Sequence, residues 1–165
     1  MSVDIIPEEV VESAWKEVGA MTESGGERRI NEIAETQPAL LALVMADTEG
    51  LSREAHELGL YMFVVILRMF EKHFPAGLKT VDIEAVERLR DKTEEMFIEL
   101  GAADELSFEG AALSYSSTQP FVMKYIAEAL FEPDDEGPDL SEDDIGGLFI
   151  TMKTVLDALE EVCRS

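Results

Sequence analysis

The chain has 165 residues, 46% of them hydrophobic, and a formal net charge of -23 at pH 7. That length supports one domain with a real core, and that hydrophobic content excludes an acidic disordered chain. Acid in such excess repels phosphate backbones and anionic lipid, which argues against nucleic acid or a membrane surface as partner; a basic protein, a cation, or mere solubility remains.

Almost every segment reads as helix, because period-two alternation is absent and Ala, Leu, Glu and Met dominate. The first helix starts near Pro7, with Val10, Val11, Ala14, Trp15 and Val18 as its buried stripe, and stops at Gly19. A second covers 27–35, with Ile30 and Ile33 inward, and a third covers 39–47, behind Pro38 and ahead of Gly50. Ser52 caps a fourth helix that runs to His73 and is apolar on nearly every side between Leu58 and Phe70, the pattern of a helix at the centre of a bundle. Asp82 caps a fifth, which presents Val86, Leu89, Met96, Phe97 and Leu100 and ends at Gly101. A short sixth is expected over 108–115 and a seventh over 120–131, and an eighth opens at Ser141 and runs to Cys163.

Thr-Gln-Pro occurs twice, at 36–38 and 118–120, each time before an apolar helical run. Around it Val3-Asp4-Ile5 aligns with Val81-Asp82-Ile83, and Leu51-Ser52 with Leu140-Ser141. The expected architecture is therefore a single all-α domain of about eight helices, built as two pseudo-two-fold related four-helix repeats, 3–73 and 81–163. Proline at a helix start loses no hydrogen bond and bends the residue before it out of helical geometry. Gln37 and Gln119 should thus stand at sharp corners, where a long amide bonds backbone groups or, alternatively, reads a ligand.

Signatures of catalysis are missing: there is no Gly-rich phosphate loop, HExxH, cysteine pair or GxSxG. His56 and His73 lack the ExxH spacing of a di-iron site. The segment 132–143, EPDDEGPDLSED, loosely imitates a calcium loop, which makes Asp134, Glu136 and Asp143 candidate metal ligands. Glu at its first position, Asp at its last and Pro138 within it favour a solvated linker instead. Gly146-Gly147 inside the last helix implies close approach of a neighbour.

The single cysteine, Cys163, and the absence of a signal-peptide pattern suggest the cytoplasm; the longest apolar stretch, 58–67, is too short to span a bilayer. No cofactor is expected. The leading expectation is a non-catalytic interaction or regulatory protein with an acidic helical surface, open to homo-oligomerisation. The alternative is a small-molecule or cation-binding protein, an enzyme among the options, with a pocket between the two halves.

Overall fold

The computed structural model describes residues 4–100, 118–131 and 140–164. Among these the chain forms seven helices: α1 Glu8–Gly19, α2 Glu23–Thr36, α3 Pro38–Glu49, α4 Arg53–His73, α5 Ile83–Leu100, α6 Pro120–Phe131 and α7 Glu142–Arg164. No strand occurs among the described residues. The short helix expected over 108–115 and the loop over 132–139 lie outside them.

Local chemistry sets the helix starts. The Pro7 carbonyl accepts from the amides of Val10 and Val11, and Glu8 and Glu9 complement the positive end of α1. Ser52 Oγ accepts from Ala55 N at 3.2 Å, and Asp82 Oδ1 from Ala85 N at 2.8 Å, as their N-cap positions require. Pro38 and Pro120 occupy the first turns of α3 and α6, where a missing amide costs nothing.

α2 begins four residues earlier than the spacing of Ile30 and Ile33 implies. Thr22 Oγ1 accepts from Gly25 N at 3.1 Å and caps the helix there. Gly25 and Gly26 thus lie in the first turn, where the cap offsets their poor helical propensity.

Six consecutive residues of α4, Met62 to Leu67, are buried, so this helix is enclosed on all sides. It packs on α1, α3 and α7. α7 in turn packs on α3, α5 and α6, burying Leu148, Phe149, Met152, Val155, Leu156 and Leu159. α4 and α7 are the two central struts, and the others lie around them. Trp15 departs from the expected stripe: α1 buries Val11, Ala14 and Val18, while the indole stays 40% exposed with Lys16 Nζ 5.9 Å from its centroid.

Small residues let the central helices approach. A Cβ at Gly59 would lie 2.9 Å from Thr48 Cγ2 and 3.0 Å from Leu148 Cδ2, and one at Gly146 would lie 2.8 Å from Phe97 Cζ. The expected close approach at Gly146-Gly147 is met by the Phe97 ring and the Leu51 side chain. Gly59→Ala gains helical propensity but pushes α3 and α7 away from α4. Chemical denaturation should show a net loss of about 1–3 kcal/mol.

Candidate functional site

Gln37 and Gln119 do stand at corners, and both side chains are buried, 2% and 0% exposed. The backbone at Gln37 is bent out of helical geometry, φ -138° and ψ 59°. Its Nε2 donates to the Lys79 carbonyl at 2.9 Å, and its Oε1 accepts from Val81 N at 3.0 Å. Gln119 repeats the arrangement: Nε2 donates to the Asp4 carbonyl at 2.9 Å and Oε1 accepts from Ile6 N at 2.9 Å. Each amide therefore clamps an extended three-residue segment. Gln37, between α2 and α3, holds the lead-in to α5, and Gln119, before α6, holds the lead-in to α1. The clamps pair Asp4 with Lys79 and Ile6 with Val81, a register three residues away from the expected pairing of Asp4 with Asp82.

Of the candidate metal ligands, Asp134 and Glu136 lie outside the described residues. Asp143 is exposed in the first turn of α7. Among the described residues no three His, Cys, Asp or Glu side chains are grouped to hold a metal ion. Cys163 is half-buried; burial, then the negative charge of Glu160, pushes its thiol up to about 11. At neutral pH it is a thiol rather than a nucleophilic thiolate.

No family model, curated protein or solved structure matches this chain. Its chemistry is therefore read from its own side chains.

The neighbour of Asp143, Asp144, has a role that the acidic run concealed. Its Oδ1 accepts from Ser52 N at 3.1 Å, and its Oδ2 accepts from Ser52 Oγ at 2.8 Å and Ser141 N at 3.2 Å. Its own amide donates to Ser141 Oγ at 3.1 Å, closing a capping box on α7. One carboxylate thus joins the N-termini of both central helices. Burial raises its pKa, but the backbone and hydroxyl bonds from Ser52 and Ser141 outweigh that and hold it below the usual range. The S-x-x-D spacing at 141–144 signals the local half of this junction; Ser52 leaves no trace in it.

Many of the cations are engaged in ion pairs within the chain, some half-buried and some at the surface. On the α1–α2–α4 face Arg68 and Lys72 pair with Glu17, and Arg29 with Glu32 and Glu71. Arg90 bonds both Oδ atoms of Asp47, whose Oδ2 also accepts from Thr151 Oγ1 at 3.0 Å, tying α5, α3 and α7 together. Further pairs are Arg68–Glu71, Arg90–Glu94, Arg53–Glu57, Arg88–Glu161, Lys124–Glu8 and Lys153–Asp157. Eight of the chain's 13 Lys and Arg residues are so engaged.

Among the described residues several openings are large enough to receive another molecule. A cleft of about 770 Å³ lies between the end of α1, α2 and α4, with Val18, Met21, Ile30, Leu60, Tyr61 and Val64 lining it and Glu27 and Asn31 on its α2 side. Tyr61 is 40% exposed there, and burial raises its pKa. The second, about 670 Å³, lies between α5 and α7 and is polar, with Thr93, Thr118, Lys153 and Glu160 in its wall. Thr118 Oγ1 donates to Glu160 Oε2 at 2.7 Å.

Replacing either corner glutamine by leucine strands one buried amide and removes the partner of one carbonyl in a lead-in segment. Gln37→Leu and Gln119→Leu should each lose about 2–4 kcal/mol in urea unfolding, since each gives up a bond to a buried amide and one to a carbonyl. Asp144→Asn presents an amide donor toward Ser52 or Ser141 and should cost about 1–3 kcal/mol at pH 7. Because the folded pKa of Asp144 is depressed, its stabilisation is fully present above the unfolded value, about 3.9. It is lost as pH falls through the lower folded value. The gap between wild type and Asp144→Asn, measured by denaturation across pH 7 to 2, should therefore close only below about pH 4.

Proposed function

We propose that this chain is a non-catalytic cytoplasmic interaction protein whose acidic helical surface engages a cationic protein partner. The observation that carries this reading is the disposition of charge. Eight cations are taken up in ion pairs within the chain, and 13 Lys and Arg stand against 36 Asp and Glu, so the surface keeps a large negative excess. A surface field of that sign steers and holds a positively charged partner and rejects nucleic acid. No helix among the described residues is long and apolar enough to cross a membrane. The cytoplasmic setting rests on the single cysteine, which allows no internal disulfide.

The same proposal takes the chain as two repeats of one unit. In support, α1 lies on α4 as α5 lies on α7, and α3 lies on α4 as α6 lies on α7. α3 touches α5 as α6 touches α1, and the two glutamine clamps cross between the halves. The contact of α3 with α7 has no counterpart of similar extent between α6 and α4, so the match is approximate.

A second reading, a small-molecule binding protein, is favoured by the α5–α7 opening, whose wall includes the buried polar side chains of Thr93 and Glu160. One experiment separates the two. The full chain, immobilised and exposed to lysate of its native organism at physiological salt, should retain a discrete basic protein that elutes as salt is raised. That protein, purified, should rebind at a fixed stoichiometry. Native mass spectrometry of the untreated chain showing a bound small molecule, with no protein retained, would favour the second reading.

A further inference from the structure

The cleft is walled by α1, α2, α4 and the short connection 20–22, with an apolar floor and no cationic side chain in its lining. Along α2 it runs from Thr22 to Asn31, which at 1.5 Å per residue is a length of about 13 Å, between two and three turns of a docked helix. We propose that this cleft is the docking groove for a basic amphipathic α-helix of the partner. The proposal deepens the reading above and rests on it.

The class of occupant follows from what the walls offer. The backbone groups inside α2 and α4 are bonded within their own helices, so an extended peptide laid in the cleft finds no ladder to join. A helix satisfies its own backbone and needs only side-chain seats. Met21, Ile30, Leu60 and Val64 provide those seats for anchors spaced three or four residues apart. The polar positions lie on one wall: Glu27 and Asn31, one turn apart on α2, are both exposed. Glu27 suits a Lys or Arg flanking the apolar stripe of the occupant. A second copy of this chain is a poor occupant, because two surfaces at -23 repel.

Tyr61 makes the idea testable. It lines the cleft, is 40% exposed, and its hydroxyl would lie 3.3 Å from a Cβ at Gly19, so the ring sits across the end of α1. Replacing it with Asp removes an apolar seat and adds a negative charge. For a cationic ligand held by charge alone, Tyr61→Asp leaves affinity unchanged or raises it. For a helix seated in the cleft, affinity falls in spite of the added attraction.

The probe is a fluorescent Leu/Lys peptide about four turns long, amphipathic as a helix. It is compared with a peptide of the same composition in scrambled order and with a Leu/Glu version. Titrated against the full chain at physiological salt, the amphipathic Leu/Lys peptide should bind one to one, at least tenfold tighter than the scrambled peptide, and the Leu/Glu peptide should not bind. Tyr61→Asp and Ile30→Asp, each checked for retained helicity and melting, should weaken binding tenfold or more. Ile98→Asp, at a site 67% exposed on α5, should leave it unchanged. Equal affinity of the two cleft variants and the wild type would overturn the groove while leaving the cationic partner standing, as would equal binding of the scrambled peptide. Failure of both Leu/Lys peptides to bind would overturn the groove and the cationic-partner reading together.

Discussion

The buried side-chain amide of a glutamine carries one acceptor and two donors on a single rigid plane, and the architecture depends on how that plane is used. At Gln37 and at Gln119 it stands in for a strand, giving an extended segment one donor and one acceptor in place of a β-ladder neighbour. The lead-ins to α1 and α5 have no helical hydrogen bonds of their own, and Ile6 and Val81 within them are buried. Burying such a residue forces its amide out of water, and a buried amide without a partner is costly. The clamps resolve that conflict. They do so across separations of 42 to 115 residues, so each also fastens distant parts of the chain together.

From those fixed lead-ins the packing follows. α1 and α5 enter at set positions and close over α4 and α7 respectively. The central helices then meet near their own N-termini, where two positive dipole ends would repel each other. Asp144 sits between Ser52 and Ser141 and neutralises both. Its counterpart by position on α4 is Ala55, which is fully buried. A second carboxylate there would crowd like charges into one junction.

Much of this was legible in the residues and some was not. Helix starts at Pro38, Ser52, Asp82, Pro120 and Ser141 follow from local rules that act within one turn, and the structure has them where those rules put them. The corners at Gln37 and Gln119 were equally local, because a following proline bends the preceding residue. What the amides bond was hidden, since Lys79, Val81, Asp4 and Ile6 carry no sequence mark of being partners. The early start of α2 was missed because Gly25-Gly26 reads as a loop unless Thr22 is recognised as its cap. Trp15 was assigned to the core by periodicity alone, but a stripe of Val11, Ala14 and Val18 already fills the face that α1 turns inward. The α1–α2–α4 cleft is tertiary in origin: Leu60 and Tyr61 look like any other residues of an apolar helix until α2 is seen to stand away from them.

The charge and the cleft are connected through that same stand-off. α2 buries only Ile33 fully, with Ile30 half-buried against the core, and an ion pair from Arg29 to Glu71 links it to α4. A helix that buries so little leaves a cleft beside α4 in which Tyr61 is 40% exposed and Leu60 is half-buried. In a chain with little net charge such a cleft invites self-association, whereas here repulsion between acidic copies opposes it. The acid thereby does two things with one field. In the docking proposed above, it opposes contact between identical chains and favours a ligand of opposite charge at the cleft.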